Sequence, residues 1–295
     1  MKPSSLTVVI LTLNEERNLT QALDSVCGWA DQVYVLDSFS TDRTPEIARA
    51  RGCHFQQRRF VDYATQRNHA LDTLPEPTEW VLFLDADELV PQALREEISN
   101  VLSAHPIENG FSMRYRLMWR GKWIRRGYHS VWLLRLFRVA HARCELRAVN
   151  EHMRVEGPVG RLANDLVHED RKPLEDWLRK HLRYAQQEAA LASSEPGAGG
   201  SVLSLLGARS ERVRWLRANV WNRMPLLVRP WIYFGVRYIA QGGILDGREA
   251  LAFHTLQALW LQTIIDLQIL ERAEDAHTEH EPTPGVTDAP CARRP

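Results

Sequence analysis

Two aspartates, two positions apart, follow directly on a run of apolar residues in the first third of the chain. They are Asp85 and Asp87, and the apolar run WVLFL occupies residues 80–84. A continuous apolar run of this length predicts a strand covered on both faces, and ligands of parallel sheets bind beyond the carboxyl ends of the strands. Hard cations such as Mg²⁺ are held by one or two carboxylates together with phosphate oxygens of a substrate. The pair therefore favours a divalent cation bound with a phosphorylated ligand, although D-x-D also occurs in solvated turns at strand ends.

The elements around this pair alternate between strand and helix. Apolar runs predict strands at residues 6–13 and 33–37, in addition to the run that ends at Asp85. Between the first two, apolar residues at i, i+3, i+4 and i+7 from Leu19 predict an amphipathic helix. Thr44, followed by a proline and an acid, is typical of a helix start. Strands that alternate with helices predict an α/β fold with a parallel sheet built from βαβ units.

The pattern changes after the first hundred residues. Apolar side chains at alternate positions over residues 111–119 predict one half-buried strand, and residues 132–139 predict another. From about residue 173 the chain is expected to be helical. The chain therefore begins with an α/β part and continues into a helical extension.

The first hundred residues contain four motifs whose order and spacing are informative. They are VVILTLNEERNL, VLDSFSTDRT, QRNHAL and WVLFLDADE. Together they resemble the family 2 glycosyltransferases, whose nucleotide-binding domain has the GT-A fold. The resemblance implies a Rossmann-like, mostly parallel sheet. It also implies transfer of a sugar from a nucleotide diphosphate donor, with Mg²⁺ or Mn²⁺ as cofactor.

The resemblance assigns the nucleotide pocket to the ends of the first two strands. Thr12, Asn14 and Glu15 match family positions that line this pocket, and Asp37 matches the residue that accepts a hydrogen bond from the base. Many relatives have two acids where this chain has Asp37 followed by Ser38. With a single carboxylate left at this point, a UDP-sugar is the expected donor but the identity of the base stays slightly open.

The same resemblance assigns the reacting end of the donor. Arg67 is expected to contact the donor phosphates, Asp85 to face the ribose or donor sugar, and Asp87 to hold the metal. An inverting transfer also needs a base on the acceptor hydroxyl, and Glu151 is the expected base. His168 resembles a histidine that approaches the metal or the diphosphate. Surface ion pairs for Arg67 and Glu151, and a structural role for His168, are the alternatives.

The second half of the chain carries a narrower resemblance. AVNEHMRVEGPVGRLANDLVHED, WLRKHLRYAQQEA and PLLVRPWIYFGVRYIAQGGILDG look like bacterial glycosyltransferases of lipopolysaccharide core assembly. That subgroup includes glucosyltransferases that act on the inner-core heptose. The resemblance covers about residues 5–270 and implies transfer of glucose from a UDP-sugar to a lipid-linked saccharide.

Arginines and aromatic residues alternate in the helical part. Seven arginines between Arg209 and Arg237 stand among tryptophans and other aromatics, a composition suited to anionic lipid headgroups. We therefore expect a catalytic domain over residues 1–170, a helical membrane-associating region over 171–270 and a disordered tail over 271–295. No signal peptide or membrane-spanning run is evident in the sequence, so the expected location is cytoplasmic, peripheral on the inner face of the cytoplasmic membrane.

The composition of the chain is compatible with few other functional classes. Lys+Arg and Asp+Glu are both 37, so no net charge indicates a polyanionic partner. The four cysteines contain no C-x-x-C pair, which is typical of a reducing compartment and argues against a cysteine zinc site. One alternative is transfer to a soluble glycan or protein acceptor. The other is an arginine-rich nucleic-acid-binding protein, which would have no need of Asp87; no nucleic-acid partner is expected.

Overall fold

The computed structural model describes two compact units. The first comprises Met1–Pro173 and Ala240–Leu251, and the second comprises Leu174–Ile239 and Ala252–Pro295. The change of unit after residue 173 lies close to the expected boundary at residue 170, whereas the return of residues 240–251 to the first unit has no signal in the sequence. The described residues are 5–128, 130–145, 153–194, 215–216 and 219–278.

The strands of the first unit form three sheets. A seven-stranded sheet has the order β12-β6-β9-β4-β1-β2-β3, a four-stranded sheet the order β5-β13-β7-β8, and β10 pairs with β11. The bounds are β1 Leu6–Thr12, β2 Gln32–Asp37, β3 His54–Gln57, β4 Trp80–Asp85, β5 Glu88–Leu89, β6 Gly110–Met113, β7 Tyr115–Trp119, β8 Lys122–Trp123, β9 Leu133–Arg138, β10 Ala142–Cys144, β11 Met153–Val155, β12 Val159–Arg161 and β13 Leu166–His168.

Helices follow the strands in the first unit and make up the regular structure of the second. Short 3₁₀ turns occur at Val139–His141, Trp221–Arg223 and Gly243–Asp246, and π-helical turns at Gly235–Ala240 and Thr255–Trp260. The α-helices are α1 Leu19–Val26, α2 Thr44–Ala50, α3 Tyr63–Asp72, α4 Gln92–Ser103, α5 Leu174–Ser194, α6 Arg229–Phe234, α7 Arg248–His254 and α8 Leu261–Thr278.

The large sheet is parallel from β4 through β1 and β2 to β3. Its register pairs Thr12 with Asp37 and Leu11 with Asp85, so three neighbouring strands end at the same edge. The predicted mostly parallel α/β sheet with C-terminal helices is confirmed. Because these strands are parallel, the polar residues that end them meet at one place although they are far apart in the chain.

Both faces of this sheet are covered. Val8 and Ile10 pack on the side of α1 and α4, whereas Val9, Val81 and Phe83 pack on the side of α3. Alternate residues of a strand point to opposite faces, so a strand buried on both sides needs an unbroken apolar sequence. This is the physical reason why the apolar runs predicted β1, β2 and β4 correctly.

The prediction of one strand over residues 111–119 is wrong. The segment forms two strands, β6 in the seven-stranded sheet and β7 in the four-stranded sheet, separated at Arg114. Alternating apolar residues identify the buried face of a strand, but they carry no information about which sheet it joins. The same region supplies β9, which runs antiparallel to β4 and lies beside it.

Residues 240–251 are fixed to the first unit by a buried carboxylate. Asp246 accepts hydrogen bonds from the backbone N–H groups of Arg125 (2.7 Å) and Arg126 (2.8 Å) and from the guanidinium of Arg126 (2.8 Å). Only 5% of Asp246 is exposed. The contact explains how a segment flanked by second-unit helices belongs to the catalytic unit.

The second unit also contains a buried acid with several hydrogen-bond donors. Asp266 accepts hydrogen bonds from the Arg229 guanidinium (Nε 2.8 Å, Nη2 2.5 Å) and from the N–H of Leu227 (2.8 Å). Helix α8 continues to Thr278, so the expectation of a disordered tail is wrong for residues 271–278; residues 279–295 lie outside the described part. Within the described residues, no helix combines the length and apolar character that crossing a membrane requires.

Candidate functional site

Two loops at the carboxyl edge of the sheet are joined by hydrogen bonds. The Asn14 N–H donates to Ser40 Oγ (2.8 Å), and the Thr41 N–H donates to Asn14 Oδ1 (2.8 Å). Asn14 adopts a left-handed backbone conformation with φ of 55°, which asparagine tolerates better than most residues. The loop after β1 is therefore held in a fixed shape against the loop after β2. The expected role of Asn14 in a nucleotide pocket stays a prediction.

The next residues continue this joining. The Glu15 N–H donates to Thr44 Oγ1 (2.8 Å), and the Glu16 N–H donates to Asp42 Oδ2 (3.0 Å). Partial burial raises the pKa of Asp42, but hydrogen bonds from Thr44 and the backbone outweigh it, so the pKa lies below its ordinary value. Asp42 is thus a loop-fixing carboxylate that stays ionised near neutral pH.

Asp37 is fully buried at the end of β2. Its carboxylate accepts hydrogen bonds from Thr12 Oγ1 (2.9 Å), from Gln57 Nε2 (2.9 Å) and from the N–H (2.9 Å) and hydroxyl (2.5 Å) of Ser40. The structure thus brings the predicted pair Thr12 and Asp37 into contact. Four donors use the acceptor capacity of a carboxylate, so the expected bond from Asp37 to a nucleotide base requires one of these donors to move aside. That role stays a prediction.

The acidic turn after β4 contains a third carboxylate that the sequence analysis did not select. Glu88 is 2% exposed, and its Oε2 accepts the N–H of Asp85 (2.9 Å). Arg135 of β9 donates to both carboxylate oxygens of Asp85 (3.2 and 2.5 Å) and to Glu88 Oε1 (3.0 Å). Partial burial raises the pKa of Asp85, but Arg135 and, more weakly, Arg67 outweigh it and the pKa lies below its ordinary value. Asp85 is therefore a fixed anion at the pocket edge.

Asp87 faces the predicted histidine. The Nδ1 atom of His168, in β13, lies 3.4 Å from Asp87 Oδ1, and the N–H of Glu169 donates to the carbonyl oxygen of Asp87 (2.8 Å). Partial burial lowers the pKa of His168, but the contact with Asp87 outweighs it and raises the pKa to about 9. The two residues predicted to hold the metal are thus neighbours in space, 81 positions apart in the chain.

A divalent cation fits this pair as an incomplete protein site. Among the residues that the structure describes, no three His, Cys, Asp or Glu side chains converge as a metal-binding group. Mg²⁺ is commonly bound by one or two protein ligands and completed by substrate phosphates and water. Asp87 and, once its proton is released, His168 therefore suit a cation that arrives with a diphosphate rather than one that stays resident without it.

A short segment after β13 carries further charge to the pocket. Lys172 Nζ donates to Glu15 Oε1 (2.6 Å), and Asn18 Nδ2 donates to Glu15 Oε2 (2.9 Å) and to Asp170 Oδ1 (3.0 Å). Burial raises the pKa of Glu15, and the contact with Lys172 opposes that rise. Residues 168–172 thus connect Asp87 to the loop after β1.

Sequence reasoning did not identify Arg135, Glu88 or Lys172 as site residues. A signal was present for Arg135, because it is a charge inside the apolar strand sequence LLRLF. The guanidinium of Arg67 lies 5.8 Å from the ring of Tyr63, and its donor-phosphate role stays a prediction. Glu151 lies outside the described residues, so the predicted base has no structural description.

The family comparison matches the part of the chain that builds this edge. Residues 7–152 match the model of glycosyl transferase family 2, and these residues form a family 2 glycosyltransferase domain. An uncharacterized glycosyltransferase of Rickettsia typhi is 31% identical over 118 residues, which are 39% of this chain and 40% of that protein. The chain thus aligns with about two fifths of the length of such relatives.

A longer match reaches into the second half of the chain. LpsC of Rhizobium meliloti, a lipopolysaccharide core biosynthesis glycosyltransferase, is 29% identical over 196 residues, 62% of this chain and 70% of that protein. Among solved structures, glucosyl-3-phosphoglycerate synthase from Mycobacterium tuberculosis with Mn²⁺ and UDP-glucose has a TM-score of 0.34, 24% identity and coverage of 38% of this chain and 44% of that one. S. aureus TarS has a TM-score of 0.42, 15% identity and 92% coverage of both chains.

The left-handed conformation of Asn14 gives a test of the loop geometry. We expect Asn14→Ala to be less stable than Asn14→Gly by about 1 kcal/mol, because a Cβ costs about 1–2 kcal/mol in this conformation and glycine loses part of that advantage through its freer unfolded state. Urea unfolding of both variants measures the difference. The same pair at exposed Asn100, inside α4, is the control and should give the opposite order, since glycine is about 1 kcal/mol worse than alanine in a helix. Equal stability of the two Asn14 variants would contradict the assignment.

Proposed function

We propose that this chain is a metal-dependent inverting glycosyltransferase that moves glucose from UDP-glucose to a lipid-linked saccharide such as lipopolysaccharide core. One observation carries the proposal. Asp87 and His168, far apart in sequence, lie 3.4 Å apart at the carboxyl edge of a parallel sheet, beside the ionised Asp85. Such a pair suits a cation that is bound together with the diphosphate of a donor. The similarity to LpsC supports the choice of acceptor.

The charged groups at this edge of the sheet have different roles in the proposed reaction. A divalent cation bound by Asp87 and His168 would neutralise the diphosphate that leaves with the nucleotide. Asp85, half-exposed with 47% of its side chain accessible, is placed to accept hydrogen bonds from hydroxyl groups of the donor. The loop of Asn14 and Glu15 forms the nucleotide side of the pocket. On the family resemblance, Glu151 takes the proton from the acceptor hydroxyl.

Asp87→Ala should abolish transfer while the fold is retained. Asp87 lies in the turn after β4 with 15% of its side chain exposed, and we expect the strands of the sheet to form without it. Loss of a main electrostatic stabiliser costs about 10²–10³ in rate. Release of UDP from a panel of nucleotide sugars with Mn²⁺ measures turnover, and thermal melting measures the fold. Asp72→Ala, which removes an acid on α3 paired with Arg143, is the matched control and should keep wild-type rates. Normal turnover of the Asp87 variant would contradict the donor-site assignment.

Glu151→Gln should lose transfer and still bind the UDP-sugar. The amide keeps the size of the side chain but cannot accept the proton, and general-base catalysis is worth about 10²–10⁴ in rate. Calorimetry with the donor and Mn²⁺ separates binding from turnover. Glu156→Gln, an exposed acid close in sequence, is the control. A loss of donor affinity equal to the loss of rate would show that Glu151 is not the base.

We also propose that the second unit docks on a membrane surface, by a different face from the one the sequence suggested. Arg229 and Arg237 are 4% and 6% exposed. Arg229 pairs with Asp266, and the guanidinium of Arg237 lies over the rings of Tyr233 and Phe253. The expectation that both arginines face lipid headgroups is therefore wrong. Their burial also weakens the nucleic-acid alternative, which relied on them.

The outward face of the same segment is apolar. Five apolar side chains of residues 228–239 are between 43% and 65% exposed, and we call them the apolar stripe: Val228, Trp231, Ile232, Val236 and Ile239. A stripe with apolar side chains outside and charges inside is the reverse of a water-facing helix. It suits the headgroup boundary of a bilayer, where tryptophan and aliphatic side chains insert by a few ångströms. The docking contact is therefore mainly apolar rather than electrostatic.

Replacing this stripe should release the protein from vesicles. We expect Trp231→Ser with Ile239→Ser to lower partitioning onto vesicles of zwitterionic and anionic lipid at least about tenfold, because each exposed side chain removes roughly 1–2 kcal/mol of apolar burial. Ile107→Ser, which changes an isoleucine that is 84% exposed in the first unit, is the control and should bind like the wild type. High salt should release only part of the wild-type protein. Complete release by salt would show that charge, and not the apolar stripe, holds the protein.

A further inference from the structure

A single arginine links two of the acids that follow β4. Arg135 is 8% exposed and comes from β9, the strand that runs antiparallel beside β4. Its Nη1 and Nη2 donate to the two oxygens of Asp85, and Nη2 also donates to Glu88 Oε1 (3.0 Å). A guanidinium that meets both oxygens of a carboxylate fixes the plane of that carboxylate as well as its distance.

Glu88 completes the arrangement from the other side. One of its oxygens accepts from Arg135, and the other accepts the backbone N–H of Asp85 (2.9 Å). Glu88 is 2% exposed, so it is shielded from solvent and is a poor candidate for direct contact with a donor. Its two bonds act on Asp85 through the side chain of Arg135 and through the main chain.

Two hydrogen-bond acceptor positions of the Asp85 carboxylate are not used by Arg135. Each carboxylate oxygen offers about two acceptor positions, and Arg135 occupies one on each oxygen. The side chain is 47% exposed, so the other two positions are open to hydroxyl groups of a bound donor. Asp87 contacts the ring of His168.

We propose that Arg135, oriented by Glu88, is a positioning residue that sets the plane of the Asp85 carboxylate for the donor hydroxyls. This inference rests on the proposed function for its substrate, and it adds residues that act without touching the donor. It also distinguishes the two aspartates, since Asp85 pairs with Arg135 and Asp87 lies against His168.

The test separates the effect of the Arg135 charge from the effect of its planar, two-pronged geometry. Arg135→Met alone leaves the Glu88 carboxylate buried without a cation and is expected to lower the melting temperature strongly. Adding Glu88→Gln removes the matching charge, keeps an oxygen for the Asp85 N–H, and should restore most of the melting temperature. Arg135→Lys keeps the charge and loses the planar fork. Each protein is assayed for kcat and KM with UDP-glucose and Mn²⁺, with and without Asp85→Asn.

The inference predicts a folded but slow double variant. Arg135→Met with Glu88→Gln should keep kcat/KM at least tenfold below the wild type, and Arg135→Lys should be slow as well. Asp85→Asn should reduce kcat/KM strongly in the wild type and less than twofold in the double variant, because the two changes remove the same arrangement. Recovery of wild-type kcat/KM by the double variant or by Arg135→Lys would overturn the inference, and so would an equal effect of Asp85→Asn in both backgrounds.

A measurement without turnover separates this inference from the proposed function. A wild-type protein that releases UDP from no nucleotide sugar overturns the function, and the melting temperatures then decide the positioning role. If Arg135 holds Asp85, the losses caused by Asp85→Asn and Arg135→Lys are smaller together than their sum. Additive losses would show that the two side chains act independently.

Discussion

Three carboxylates within four residues at the end of β4 impose the main constraint on this structure. Asp85, Asp87 and Glu88 repel one another. Burial, together with this repulsion, raises the pKa of Glu88 to about 7, although Arg135 opposes the rise. Arg135 compensates Asp85 and Glu88, while His168 meets Asp87. The arginine comes from an antiparallel strand inserted next to β4, and the histidine comes from the four-stranded sheet. Strands β9 and β13, which follow the parallel strands in the chain, therefore supply the partners of this acidic turn.

The two positively charged partners of this turn, Arg135 and His168, differ in chemistry. A guanidinium keeps its charge at all physiological pH values, so the pair of Asp85 and Arg135 is permanent. The partner of Asp87 is a histidine, a group that also coordinates metals in its neutral form. The turn thus contains one ion pair with a permanent cation and one contact with a titratable histidine, which suits the proposed binding of a metal cation together with a diphosphate.

Charged side chains also point inward in the second unit. Arg229 and Arg237 turn inward to Asp266 and to aromatic rings, and the apolar residues between them turn outward. Burying an arginine is tolerated only with a partner that is itself well placed, and Asp266 meets that condition by also accepting the Leu227 N–H. The helical segment can then present an apolar face that has no unpaired arginine from this pair, as the proposed membrane docking requires.

The sequence alone determined the parallel half of the catalytic unit. Strands buried on both faces require unbroken apolar runs, so β1, β2 and β4 were recognisable, and with them the carboxyl edge that carries Thr12, Asp37, Asp85 and Asp87. His168 was proposed from its resemblance to related enzymes. Its contact with Asp87 was decided by the pairing of β13 with β5, in which His168 lies opposite Glu88.

Only the tertiary structure decided the partners of the charges. Alternating residues over 111–119 could not show a strand that passes from one sheet to another, and an arginine in LLRLF could not show which acid it would meet. The inward direction of Arg229 and Arg237 was equally hidden, because composition counts charges without giving their direction. Patterns along a chain record which face of an element is buried, whereas the pairing of distant charges depends on strand order and register, which no local pattern contains.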